Sequence, residues 1–467
     1  MMKRKYNIIY AGITLFVLLV FILGLLLGIR GNFLGLEAGI LIAFGVIYLL
    51  IKEPAWIIYI QIFYCLINKW LISQVHVSNV INYGTDILMM LSFLMALIKF
   101  YKKREKIYVR IPIFIITIFF FIGTLTAILN GVSLLLILWS YRNLMRFSLF
   151  FFACIVLLEF EDLKNIKIMI SIMFCINLVI VSIQFWIQGI SQDNLGGIFG
   201  TDLGCNGHMN TFLCICISYT CISYIAKKIS ILNFCFVSAG ALYIAALSEL
   251  KFFFIEFVCI LFLAILVSKF SWRIFLMISG ATIGLIIGLE LFNAYFPGWE
   301  FSLKQIWSYA GQGGYSTQYD LNRLTAIQRL SNEFLLETRE RLFGWGLGSC
   351  ETSSFFNSSF FTLYGERLHY SYLLQAFLFL ETGWIGLLLF LSFFVSVFLL
   401  AQRFWRDFSG ERQILCKAGA LMAVMCVIHC FYNNALRVEN SGYLAYFVLA
   451  IPFICRKGTQ NECREKN

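Results

Sequence analysis

Residues 366–400, ERLHYSYLLQAFLFLETGWIGLLLFLSFFVSVFLL, run from a charged Glu-Arg pair and a histidine straight into an apolar stretch. From 371 to 400 that stretch exceeds the roughly 20 residues a helix needs to cross a hydrocarbon core. It reads as a membrane helix with His369 at its mouth. The rest of the chain has the same character: 60% of the 467 residues are hydrophobic, 13% are charged, and mean hydropathy is +0.84. A soluble core with a wetted surface does not tolerate such values. Four prolines and 17% aromatics fit helices better than the short alternating strands of a membrane barrel.

Cutting the chain at about 20 apolar residues per helix gives about 14 transmembrane helices. They lie near 7–29, 33–51, 54–72, 86–100, 111–129, 133–158, 166–188, 207–226, 230–248, 250–268, 272–293, 371–400, 413–432 and 441–455. The first, around ITLFVLLVFILGLLLGI, is long and has no small-residue cleavage site, so it reads as a retained helix rather than a removed signal. The fold class expected is an all-α polytopic membrane protein with one large extracytoplasmic loop between helices 11 and 12. Its organisation is a bundle over 1–293, a loop or cap over 294–370, helices 12–14 over 371–455 and a tail over 456–467.

The formal charge of +11 does not form a nucleic-acid patch. The basic residues come in short clusters between apolar runs: MKRK, YKKREK (101–106), Lys227 and Lys228, residues 402–412, and the C-terminal tail. With both termini cytoplasmic, every clear cluster falls on the cytoplasmic side, as positive-inside topology requires. The same alternation sends the long connection and His369 outside. Of the fifteen cysteines, nearly all lie inside apolar runs without zinc-type Cys/His spacing, and such residues behave as small hydrophobes.

The long connection is not low-complexity. DLNRLTAIQRLSNEFLLETRERLF (320–343) repeats Leu324, Ile327, Leu330, Phe334 and Leu335 at helical spacing, which predicts an amphipathic helix on the membrane surface or over a cavity. Trp299, Trp307, Tyr309, Tyr315 and Trp345 suit stacking on sugars, and equally suit a membrane interface. The glycines of GWGLG (Gly344, Gly346, Gly348) lack the strand, helix and nucleotide access of a phosphate loop. They fit a tight turn against another segment or a substrate.

Ionisable side chains inside membrane segments cost roughly 2.5–3.5 kcal/mol each. Arg142 and Arg146, in LWSYRNLMRFSLF, stand one helical turn apart on one face. They either meet an anionic ligand such as a diphosphate, whose oxygens match two planar forks, or pair internally with carboxylates. Lys251 stands at the outer turn between two spans, either at a lipid-linked phosphate or snorkelling beside Glu249. In the loop, Arg323 and Arg329 have mainly apolar or neutral neighbours, apart from Asp320, whereas Arg339, Arg341 and Arg367 sit among glutamates. His369 can accept a proton near neutral pH, although a lone histidine is more often structural.

RLFGWGLGSC (341–350), followed by LHYSYLLQAFLFLETGWIGLLLFL, closely resembles the signature of the O-antigen polymerase and ligase superfamily. There, a glycine turn leads to a histidine and then to a helix with E-x-G-x-x-G, here Gly344, Gly346, Gly348, His369, Leu373, Glu381, Gly383 and Gly386. GGIFGTDLGCNGHMN (196–210) looks like the family's glycine-rich outer loop. LSELKFF carries Lys251 where many members have arginine, and LNRLTA resembles the family's loop arginine at Arg323. The resemblance spans about 133–400. Tyr370 in place of the usual asparagine and Lys251 in place of arginine depart from the pattern.

The resemblance implies a metal-independent polysaccharide polymerase of the bacterial cytoplasmic membrane. It would join undecaprenyl-diphosphate-linked repeat units into capsular, O-antigen or exopolysaccharide chains. His369 is expected to be the catalytic base, and Arg142, Arg146, Lys251 and Arg323 to hold the diphosphate. Arg329, Arg367, Glu381, Gly344, Gly346 and Gly348 are expected to support the site. No cofactor and no metal is expected, because the outer loops show no convincing carboxylate cluster of the kind Mg²⁺ needs. Expected partners are the lipid-linked glycan donor and acceptor, membrane lipids, a chain-length regulator and a flippase, with no nucleic acid. The rival readings are a ligase passing finished polymer to another acceptor, a flippase for the same lipid-linked unit, and a structural or sensory membrane protein.

Overall fold

The structure, a computed structural model, describes residues 52–103, 108–296, 319–353 and 355–464. The two spans expected near 7–29 and 33–51 lie outside the described residues, as do Trp299, Trp307, Tyr309 and Tyr315. The described residues are helical, with no strand among them.

In chain order the helices are α1 (Ala55–Val75), α2 (Gly84–Lys103), α3 (Arg110–Leu129), α4 (Leu134–Leu157) and α5 (Phe160–Trp186). Then come α6 (Cys205–Ile225), α7 (Ile231–Leu247), α8 (Lys251–Leu266) and α9 (Trp272–Tyr295). The short helices α10 (Ala326–Glu333), α11 (Thr338–Phe343) and α12 (Ser359–Leu368) precede α13 (Leu374–Arg406), α14 (Gly410–Tyr432) and α15 (Glu439–Arg464). Among the described residues nine helices, α1–α6, α9, α13 and α14, are long and apolar enough to cross a membrane. Each expected span from 54 onward falls on one of these helices or on α7, α8 or α15.

Burial follows a membrane pattern. Ile168, Ile172, Ile176, Val179 and Ile183 form an exposed apolar stripe at helical spacing on α5, and Phe275, Ile278, Ile283, Ile286 and Ile287 are exposed on α9. Water would penalise both surfaces, whereas hydrocarbon does not. Meanwhile α6 is buried on nearly every side, packed against α7, α8, α14 and α15. Serines cap several helix starts: Ser133 accepts from Leu136 N (3.4 Å) and Ser230 from Asn233 N (3.2 Å), using otherwise orphaned amides.

Helix ends sort onto two faces. On one, Lys457 donates to the carbonyls of Val156 (2.9 Å) and Leu158 (3.0 Å) and Lys99 to Leu157 O (3.1 Å). There too Lys167 pairs with Glu411, and Arg273 reaches Tyr224 O (3.1 Å) and Ile229 O (3.0 Å). On the other, Asn206 donates to Ser248 O (3.0 Å), Arg323 to Tyr432 O (2.9 Å) and Asn434 to Ser371 O (3.0 Å). The cap, residues 319–373 as described, sits on this second face.

The cap differs from expectation in one respect. The single amphipathic helix expected over 320–343 is two helices, α10 and α11. Phe334 leaves helical geometry, and Glu337 begins α11 with its own capping box, exchanging side-chain and backbone hydrogen bonds with Glu340. Leu330 and Leu335 still point into a small apolar core, with Phe360 and Tyr370, while Leu324 is exposed.

GWGLG is the clamp between cap and bundle. Gly344, Gly346 and Gly348 have φ of +70°, +97° and +90°, a region favouring glycine. Trp345 N donates to Leu380 O (3.0 Å), Gly346 N to Glu381 O (2.7 Å) and Leu347 N to Gly123 O (3.1 Å). The Glu381 carboxylate accepts from Gly348 N (2.9 Å), Cys350 N (3.1 Å) and Ser140 Oγ (3.2 Å). On α13 the backbone breaks at Gly383, φ +59°, where the chain touches Leu342 and Phe343. A Cβ at Gly346 would meet the backbone of Ala127. Gly346→Ala is therefore expected to cost at least about 1–3 kcal/mol from the backbone conformation alone. Thermal unfolding of the detergent-purified protein checks this; an unchanged midpoint refutes the clamp.

Candidate functional site

Where the cap meets the bundle lies a cavity of about 900 Å³. The start of α6, the loop into α8, the last turn of α14 and the cap enclose it. His369, Lys251 and Arg323 all line it, although the chain separates them widely, and His208, Glu249 and Asp193 join them.

His369 ends α12 in left-handed backbone, φ +48°. This turns the chain so that the imidazole reaches the cavity while its ring stacks on Tyr372 at 5.2 Å and 9°. Nδ1 lies 3.0 Å from Asp320 Oδ1, the histidine side chain being 28% exposed and the aspartate 1%. A carboxylate only accepts, so Nδ1 carries the proton and Nε2 is left as the basic nitrogen. Arg329 donates to the carbonyls of Tyr319 (2.9 Å) and Asp320 (3.1 Å) and pairs with Glu333 (2.9 Å), which fixes the strand of chain bearing Asp320. Arg367 lies over the Tyr319 ring at 4.8 Å.

Lys251 meets Glu249 at 2.8 Å, the snorkelling pair weighed from sequence, and both face the cavity. Glu249 has φ +55°, an uncommon backbone state that turns the chain sharply between α7 and α8. Arg323 donates from Nε to Tyr432 O, its guanidinium 4.7 Å from the Tyr432 ring centre. Tyr432 in turn stacks on Phe252 at 4.1 Å, so a flat aromatic wall stands beside two cations.

Arg142 and Arg146 do not line the cavity. Arg142 Nη2 lies 2.6 Å from Asp86 Oδ2; Arg146 Nη1 lies 2.8 Å from Glu439 Oε1 and 3.1 Å from Asp86 Oδ1. The internal pairing weighed for them is the arrangement found. Glu381 and the three glycines belong to the clamp rather than to the cavity wall. Tyr370 points into the cap core, donating to Cys350 O at 2.7 Å. Burial pushes its phenol far above the usual range, so it is a structural hydroxyl, and it does not line the cavity.

Sequence reasoning left Asp320 unassigned and gave His208 no role. Asp320 is 49 residues from His369, with no spacing signal to link them. Neither models of known protein families nor curated proteins give a match to this chain.

Proposed function

We propose that this protein is a membrane-embedded polysaccharide polymerase of the bacterial cytoplasmic membrane, working on undecaprenyl-diphosphate-linked repeat units. In this reading the chain has about 14 spans and cytoplasmic termini. The basic face of the bundle is cytoplasmic, and the capped face carrying the cavity is extracytoplasmic. The observation that carries the proposal is the His369–Asp320 pair at the rim of a cavity that also holds Lys251 and Arg323.

The chemistry follows from those groups. The acceptor sugar hydroxyl gives its proton to His369 Nε2 as its oxygen bonds to the anomeric carbon of the donor. The bond from that carbon to the diphosphate breaks, and the diphosphate leaves on its lipid with the electron pair. Asp320 orients the ring and stabilises the imidazolium, and Lys251 and Arg323 offset charge growing on the leaving group. Tyr432 and Phe252 give a sugar face an apolar wall. The energy resides in the sugar–diphosphate bond, so no nucleotide sugar is consumed. Arg142 and Arg146 take no part in this scheme, their charges being met within the bundle.

Purified protein supplied only with lipid-linked repeat units is expected to form longer chains on the carrier. In cells lacking the protein, single units are expected to accumulate facing outward. Inward-facing accumulation would point instead to a flippase, and transfer confined to a foreign acceptor to a ligase. Lys251→Gln is expected to weaken donor binding about tenfold, or about 1.4 kcal/mol; unchanged apparent affinity would remove Lys251 from the site.

A further inference from the structure

Next to the cavity, in the apolar interior, α6, α8 and α14 bring Cys214, Glu256 and His429 together. Each is completely buried, and their donor atoms all lie within 4.8 Å of one another. His429 Nε2 approaches Glu256 Oε1 to 3.0 Å, and Cys214 Sγ lies 3.5 Å from Glu256 Oε2. Despite that closeness, neither ring nitrogen of His429 nor Oε1 of Glu256 has a hydrogen-bond partner among the described residues. Buried polar atoms are rarely left in that state. Asn210 donates to Glu256 Oε2 at 2.7 Å and so fixes the carboxylate from outside the cluster.

We infer that Cys214, Glu256 and His429 form a divalent transition-metal site, best suited to Zn²⁺, that ties the three helices together beside the cavity. Three observations converge on it. Bonds of about 2.0–2.3 Å to one tetrahedral ion separate neighbouring donors by roughly 3.3–3.7 Å; the 3.5 Å contact falls in that range, the 3.0 Å contact is slightly shorter, and all three donors lie within 4.8 Å. A mixed sulfur, nitrogen and oxygen set suits zinc rather than Mg²⁺ or Ca²⁺, which take oxygen donors. A thiolate and a carboxylate balance the two positive charges of the ion, and a neutral site is what a low-dielectric interior tolerates. The Asn210 contact is the outer hydrogen bond that ligating carboxylates commonly receive.

None of the three residues lines the cavity, but neighbouring turns of the same helices do: His208 precedes Asn210 and Cys214 on α6, Lys251 precedes Glu256 on α8, and Tyr432 follows His429 on α14. The ion would therefore set the spacing of the cavity's walls and take no part in its chemistry. Sequence spacing hides the site, because each ligand comes from a different helix.

The test needs no glycan substrate, so it stands or falls apart from the proposed reaction. Full-length protein in detergent is loaded with Zn²⁺ or Co²⁺, desalted and analysed for metal. About one ion per chain is expected, with thiolate-to-cobalt absorption in the Co²⁺ form. Cys214→Ser and His429→Gln should lose the ion, while Cys216→Ser, on the same helix but outside the cluster, should keep it. Wild-type protein that retains no metal, or Co²⁺ protein without a thiolate band, overturns the inference whether or not the variants fold. Retention of a full equivalent by folded Cys214→Ser also overturns it.

Discussion

His369→Asn is expected to remain in the membrane at wild-type abundance while chain extension falls at least about 100-fold, the low end of what a positioned general base contributes. Single repeat units should then accumulate on the lipid carrier. Asparagine is the informative substitution because His369 occupies left-handed backbone at the end of α12. Asparagine adopts that conformation readily, whereas alanine does so under strain. His369→Ala should give the same chemical defect with added destabilisation of the cap. Asp320→Asn should leave the cavity intact and lower turnover more than it raises the apparent KM, because the ring loses the carboxylate that selects its tautomer and steadies its charged form. A purely structural His369 would give the opposite pattern: lower abundance, with normal polymer per folded molecule. Normal chain length from folded His369→Asn would remove the imidazole from the reaction, and the proposed function with it.

The bundle was legible because lipid imposes a single simple constraint. A segment of about 20 apolar residues must be helical to satisfy its backbone, and nine of the described helices fall on expected spans and are long and apolar enough to cross a membrane. The break between α10 and α11 was not legible. The same apolar spacing serves one helix or two, and the interruption depends on Glu337 capping through Glu340, a local hydrogen-bond choice. The site divided in a similar way. His369 and Lys251 stand out beside apolar runs, Lys251 and Arg323 are singled out mainly by the resemblance, and the fold brings all three to one cavity. Asp320, only 2% exposed, sits in a loop where carboxylates are ordinary, and only tertiary structure aims it at Nδ1. Glu381 illustrates the reverse. The resemblance singles it out as support for the site, yet its two oxygens accept from Gly348 N, Cys350 N and Ser140 Oγ of the clamp. The cost of burial marks a residue as constrained without saying whether a ligand or the protein supplies the constraint.

Arg146→Met is expected to reduce folded protein severely, because it strips a partner from two carboxylates inside the bundle. The arginine side chain is 2% exposed, and Asp86 and Glu439 are 19% and 18% exposed. Arg142 can satisfy only part of what remains, since its guanidinium already meets Asp86 at 2.6 Å and lies 3.7 Å from Glu439. Breaking one side of a buried ion pair costs about 3–5 kcal/mol, whereas replacing both sides with apolar groups is often neutral. Arg146→Met combined with Glu439→Met should therefore recover much of the loss, leaving Arg142 and Asp86 as a balanced pair. The coupling between the two substitutions, read from detergent-resistant folded protein, measures the pair itself. The recovered double variant also separates the two readings of this arginine. If its charge serves only to join α4 to α2 and α15, folded double variant should extend chains at close to the normal rate. Folded double variant that makes no polymer would bring Arg146 back to the substrate, and would require the diphosphate to reach well beyond the cavity that holds His369.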